Sequence, residues 1–408
     1  MWQWGTWMNS KNKLIIRTND TNVLTDRQSS EMVLPMIPEV KGGDLSEADE
    51  QMFLQVISTE LSDAQIARVT EPASVYRRKK NVLALHWHPE FVPMNLIRER
   101  IDRTFPLKSD ELVIPTQHNE LLSYDGVYSG VEIDCFSKGF NQKVQLLLHL
   151  TRERADNAQV LKSMAAYTSR YRSSQLYDFI NSFIGEDKSR LNSAAMEVGA
   201  NEQLLGFVVG TVSKINQLLD KHQDKIPAIM IKNKLLRNYF DAMRGDVADI
   251  IIERAQSLLS AVKKRVKENF PLTFFYRTEE VIEEARAQGA GIIIPHPEQF
   301  WPILLADYDV DGIEIWNPQS RKYTEFLISV INSKNSSVKN RDNRLLIFMG
   351  DDTHMGEKVK DPLSWNAEKA SREIGVQPGW DDLFIRKKLI KAGMEISDVM
   401  AEYRQRLT

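Results

Sequence analysis

Five of the seven histidines in this 408-residue chain stand at the ends of short apolar runs that read as β-strands. They are His86 and His88 in VLALHWHPE, His118 in VIPTQH, His296 in IIIPHP and His354 in GDDTH. Imidazole is the commonest side-chain metal ligand near neutral pH, and residues at the strand ends of a closed or nearly closed sheet converge on one rim. The placement therefore predicts a shared metal site and a fold that gathers strand ends. In His86-Trp87-His88, strand alternation sends both imidazoles to one side and Trp87 to the other. Asp352 and His354 repeat that spacing and add a hard oxygen. Mixed oxygen and nitrogen ligands suit zinc, manganese or iron better than calcium.

Glu132, in GVEID, shares a strand face with Asp134, opposite Val131 and Ile133. A carboxylate in a buried strand is costly unless a cation or dense hydrogen bonding satisfies it; the alternative is an edge strand whose face meets water. Glu314, in GIEIW, has the same alternation and is equally served by a structural ion pair to Arg or Lys. His149, in VQLLLHLT, is either a further ligand or a core imidazole bonded to a carbonyl. His222, in LLDKHQDK, reads as a solvated helix-end residue. The basic runs RRKK at 77–80 and KKRVK at 263–267 read as solvated faces, with phosphate steering as the functional alternative. Cys135 has no neighbouring Cys or His and reads as packing.

The strand-like runs VLAL, ELVIP, GVEI and VQLLL precede a long helical pattern, and GIIIP, DGIEIWNP and LLIFMGDD follow it. Seven strands interrupted by helices predict an α/β architecture with functional groups at the strands' carboxyl ends. The expected organisation is an N-terminal arm and peripheral helix over 1–75, with Trp2, Trp4 and Trp7 in the arm and one amphipathic helix from Ser46 to Ser62. The first part of the strand domain follows over 76–151, a helical insertion over 152–277, the second part over 278–375, and a C-terminal helical extension over 376–408. An insertion is best tolerated where both its ends emerge together, so the end of VQLLL and the helix starting at Thr278 are expected to be neighbours.

Composition narrows the function. With 53 Lys and Arg against 56 Asp and Glu, a net charge of −3 supplies no global field for nucleic acid or an anionic membrane. One cysteine excludes an internal disulfide framework and any thiolate zinc cluster, and fits a reducing compartment; with no signal-like or membrane-spanning run, a cytoplasmic location is expected. There is no P-loop, GxSxG or HExxH.

The ordered set LHWH, IPTQHN, GVEI, GAGIIIPHPE, DGIEIWNP and MGDDTH resembles the motifs of the polymerase and histidinol phosphatase (PHP) superfamily of metal-dependent phosphoesterases. The likeness spans roughly residues 81–150 and 278–356. It implies a distorted seven-stranded (β/α) barrel, here with a large helical insertion, and two or three divalent ions (zinc, manganese or iron) at the barrel's carboxyl end. His86, His88, Glu132 and Asp352 correspond to the ligands of one ion, and His118, His296 and His354 to those of its neighbours, with Glu132 bridging. Catalytic roles then fall to Glu132, Asp352 and His354. The sequence departs from the pattern in specific places. A carboxylate usual shortly after HxH falls near Pro93, leaving Glu90 as the substitute; Gln117 and Asp351 replace the usual Asp and Ser; and a histidine usual on the next strand falls near Gln145, leaving His149. The implied reaction is hydrolysis of a small phosphorylated metabolite by hydroxide generated from metal-activated water, with nucleic acid a less favoured substrate. Two alternatives compete. One is an amidohydrolase-type hydrolase, a family that resembles this chain in HxH but needs a bridging Lys and a lone late Asp. The other is a degenerate PHP-like metal-binding regulatory module.

Overall fold

The computed structural model describes residues 36–40, 44–337, 344–362 and 366–408, and the chain divides after Met36 into a short N-terminal unit and a body of residues 37–408. Trp2, Trp4 and Trp7 lie outside the described residues. The body opens with α1 (Glu47–Ile57), a shorter version of the helix expected over 46–62, and a further helix α2 (Asp63–Thr70). Each has its own capping box, Ser46 with Asp49 and Ser62 with Gln65; the first helix stops at Ile57, short of the expected Ser62, where the second box starts a further helix.

β1 (Asn81–Ala84) runs toward β2 (Trp87–His88); α3 (Met94–Thr104) then crosses to β3 (Asp110–Val113), which pairs with β1 in parallel. After β4 (Leu122–Ser123) comes a long hairpin of β5 (Tyr128–Ser137) and β6 (Gln142–Thr151), with Glu132 opposite Leu147 and Asp134 opposite Gln145. The helices α4 (Arg152–Asn157), α5 (Gln159–Ser169), α6 (Tyr171–Ile184), α7 (Ser189–Val198), α8 (Glu202–Lys221), α9 (Lys234–Ala242) and α10 (Asp249–Glu268) follow. Two hydrophobic cores divide this stretch. Ala155, Leu161 and Met164 of α4 and α5 pack against the sheet, whereas residues from Leu176 to Val266 form a helical core that also buries Phe53 and Ile57 of α1. His222 belongs there too. It is buried against Phe53 and pairs with Glu50 at 2.9 Å, where a solvated helix end was expected.

The chain returns through α11 (Thr278–Ala287), β7 (Gly291–Ile294), β8 (Gly312–Trp316), α12 (Thr324–Ser336), β9 (Leu346–Met349) and β10 (Thr353–His354). Its return is not beside its departure: Thr151 lies opposite Tyr128 at one end of β5, while Arg277 bridges Phe136 near the other. The reason is that the chain does not leave the sheet at Thr151, because α4 and α5 first pack against it. The short helices α13 (Gly356–Val359) and α14 (Ala367–Ala370) lead to α15 (Leu383–Ala392) and α16 (Ile396–Leu407), and Tyr403 and Leu407 of α16 are buried in the sheet core.

All seven predicted runs contain strands, but they do not close a seven-stranded barrel. Among the described residues, six strands form one sheet in the order β4-β5-β6-β7-β8-β9, antiparallel up to β7 and parallel from β7 to β9, while β1–β3 and β2–β10 are separate parallel pairs. The ladders break where the candidate ligands sit. Glu90, His296 and Asp352 adopt positive φ values of 51°, 27° and 48°, which turn the chain out of the extended conformation beyond a strand. Short backbone bridges connect the pieces there: Asn119 N–H to the Glu132 carbonyl at 2.7 Å with Glu132 N–H to the Gln117 carbonyl at 3.1 Å, and Asp352 N–H to the His86 carbonyl and Met355 N–H to the His88 carbonyl, both at 2.9 Å. No helix among the described residues is long and apolar enough to cross a membrane.

Candidate metal centre

Strand alternation delivers Glu132 from β5 into the interior, where its side chain is 1% exposed. Four imidazoles surround the carboxylate. His296 Nε2 lies 3.3 Å from Oε1, His86 Nε2 3.8 Å from Oε1, and His88 Nε2 3.6 Å from Oε2, and His118 pairs directly with Oε2. Asp352 Oδ1 closes the group at 3.7 Å from His86 Nε2, 3.6 Å from His88 Nε2 and 3.4 Å from His354 Nε2. The His88 ring stacks between those of His118 and His354, with centroids 4.2 Å away on each side. All seven ligands implied by the resemblance thus lie together, contributed by segments far apart in sequence.

The donors fit a cation. Most of these separations exceed a hydrogen bond but approach the ~3.4 Å between donors each roughly 2.1 Å from one tetrahedral ion. His86 Nε2 and both ring nitrogens of His88 are buried without hydrogen-bond partners. Among the described residues, two donor groups are compact enough to hold an ion: His86, His88 and Glu132, and His88, His118 and His354. His88 belongs to both. Burial, with the nearby His118 and His354 charges, holds the His88 imidazole well below its usual range, which keeps the ring in the neutral form that a metal can take. Burial works against ionisation of Glu132, yet His118, His296 and His88 hold its carboxyl well below the usual carboxylate range.

Neighbouring groups aim the donors. Glu314, from β8, accepts from His86 Nδ1 at 2.7 Å and from the His296 backbone N–H at 2.9 Å, pointing His86 Nε2 at the centre. Burial opposes the charge on His86, but Glu314 overcomes it and pushes the imidazole up to about 10. The ion pair anticipated for Glu314 with Arg or Lys is thus a carboxylate–histidine contact, at a register shift between Glu314 and Trp316. Gly350 makes room for it: a Cβ there would collide with Glu314 Oε1. Arg372, in a segment with no recognised motif, donates to Asp352 Oδ2 at 2.7 Å and to its backbone oxygen at 3.1 Å. Sequence reasoning missed Arg372, and no spacing signal marks it.

The two substitute ligands separate. Glu90 reaches the rim, 3.9 Å from His354 Nδ1, but its Oε1 also takes Lys232 at 3.0 Å. His149 is not part of the centre: Nδ1 bonds the Tyr403 hydroxyl at 2.7 Å and Nε2 the Leu85 carbonyl at 3.1 Å, leaving no free nitrogen. Gln117 donates no charge; its side-chain oxygen caps the Glu90 N–H at 3.1 Å. Asp351 turns away to accept from Gly375 N–H at 2.9 Å and Thr353 N–H at 3.1 Å.

No family model and no curated protein matches this chain. Among solved structures it is similar to a protein from Bifidobacterium adolescentis provisionally described as a metal-dependent phosphoesterase. The identity is 16% and the TM-score 0.39, over 78% of this chain and 98% of that one. At that level of likeness, only the site's own geometry speaks to the chemistry.

Proposed function

We propose that this chain is a PHP-type metal-dependent phosphoesterase acting on a small phosphorylated molecule. The observation that supports it is the convergence of five imidazoles and two carboxylates around buried, unpartnered nitrogens. In this reading His86, His88, Glu132 and Asp352 hold one ion, and His118, His296 and His354 share Glu132 or His88 to hold its neighbours. Divalent ions of the zinc, manganese or iron class, when bound, acidify water and neutralise phosphate oxygens. The chain's own residues do the positioning. Glu314 fixes the His86 ring, Arg372 fixes the Asp352 carboxylate, and Glu132 ties four imidazoles to one point. His118 and His354 are the most open of the five, at 22% and 24% side-chain exposure, so a phosphate approaches over them.

Metal analysis of protein purified without chelator, paired with hydrolysis of a panel of phosphate mono- and diesters, tests the reading. At least two divalent ions per chain and turnover of an ester are expected. Less than one equivalent of metal would overturn it. Bound metal with no ester hydrolysed would turn the assignment to a regulatory metal-binding module.

A further inference from the structure

Above His118 and His354 lies a cleft of about 350 Å³ whose walls come from the helices after β6 and from the segment after β10. Eight Lys and Arg side chains line it, against only Glu90 and Glu357 of opposite charge. Three of the cations are committed to those acids: Lys232 to Glu90 at 3.0 Å, Lys234 to Glu357 at 2.6 Å and Lys360 to Glu357 at 3.1 Å. Arg237 has Asp241 at 3.8 Å. The other four, Arg172, Lys263, Lys267 and Lys369, have no carboxylate within ion-pair distance among the described residues.

For the two lysines of α10 this surplus is costly in the free protein, whereas Tyr171, Asp134 and Glu132 favour the charge on Arg172. Lys263 and Lys267 are one turn apart on α10, where like charges repel. Partial desolvation, together with Lys263 and Lys143, pulls the Lys267 ammonium down to about 8, and desolvation with Arg237 and Lys369 lowers Lys263 as well. Uncompensated cations concentrated in a walled cleft, on a chain whose net charge is −3, focus a positive field on the mouth of the centre. One phosphate, carrying at most about two negative charges, would leave about half of these four cations unneutralised.

Resting on the phosphoesterase reading, we propose that the substrate is a small molecule with at least two phosphate groups, one over the His118–His354 floor and another gripped by Lys263, Lys267, Arg172 and Lys369. The cleft volume favours a compact polyphosphorylated molecule over a nucleic-acid strand, which would need a basic track along the surface.

The test uses the full chain, before and after chelator treatment, and isothermal titration with methylenediphosphonate, which carries two phosphonates, against methylphosphonate, which carries one. The two-group probe should bind at least about tenfold tighter in both states, because charge-assisted contacts are strong. In the double variant Lys263→Gln/Lys267→Gln that gap should close to within about threefold, with the melting transition unchanged. Equal affinities in the wild type, or an undiminished gap in the double variant, would overturn the proposal. Tighter binding of a single-stranded oligonucleotide than of methylenediphosphonate would overturn the small-molecule assignment. The selectivity persists without metal, so its survival alongside absent hydrolysis would count against the phosphoesterase reading alone. Hydrolysis without the selectivity would count against this proposal alone.

Discussion

Glu132 is the residue on which the centre depends, because a single carboxylate faces four imidazoles at once. Glu132→Gln keeps the volume and removes the charge, so metal content should fall more than for loss of any single histidine, measured by elemental analysis after gel filtration. Glu314→Gln acts at one remove: His86 loses its anionic partner but stays in place, and metal affinity should fall about 10–100-fold. If Glu314→Gln bound metal as tightly as wild type, the orienting role would be wrong. Asp134 sits on the same face as Glu132 yet serves a different purpose, accepting from Asn119 at 2.7 Å and pairing with Lys143. Replacing it leaves a half-buried ammonium and the Asn119 amide without their carboxylate, so Asp134→Asn should lower thermal stability before it lowers metal content. Alternation along GVEID made both carboxylates visible as a pair. Which of them meets imidazole depended on what crossed above each, and no spacing records that.

At the scale of elements, the strands deliver donors only because they stop. Positive φ at Glu90, His296 and Asp352 ends each extended segment beside the centre, and such residues cost on the order of 1–3 kcal/mol each unless surrounding contacts hold them. The C-terminal α16 packs under the strands themselves. It had no motif, yet Tyr403 packs on Phe348 and binds His149 from beneath the sheet. Burial drives the His149 imidazole down to about 3, whereas in the unfolded chain it titrates near 6.5. Between those values the unfolded state binds a proton and the native state does not, so this residue's contribution is fully present above about pH 6.5 and is lost as pH falls toward 3. The loss is about 1.4 kcal/mol per pH unit. Denaturant titrations at pH 6.5, 5.5 and 4.5 should show a slope shallower by about one proton in His149→Gln than in wild type. An identical slope would mean that His149 is protonated in the native protein.

Across the whole molecule, the strands and the turns just beyond them carry the donors, and the helices of the second core carry most of the surplus cations. On the proposed reading metal binds only the assembled donors, so removing it should lower the melting temperature without any assay of turnover. At metal about 100-fold above its dissociation constant the linkage is worth about 2.7 kcal/mol, and chelation should lower Tm by several degrees, reversed on re-adding the ion. An unchanged Tm would show that the donor cluster folds without needing a cation. Strand-end histidines, the strand runs and the alternation of Glu132 were legible in the sequence because they follow from local period and residue chemistry. The open sheet, the buried His222, the Glu314–His86 contact, the grip of Arg372 on Asp352 and the turning of KKRVK toward the cleft were not. Each of these joins residues that the chain keeps far apart, or sets a solvated-looking charge against a neighbour from another element. Periodicity reports which side of an element a residue occupies. Only packing decides what that side faces.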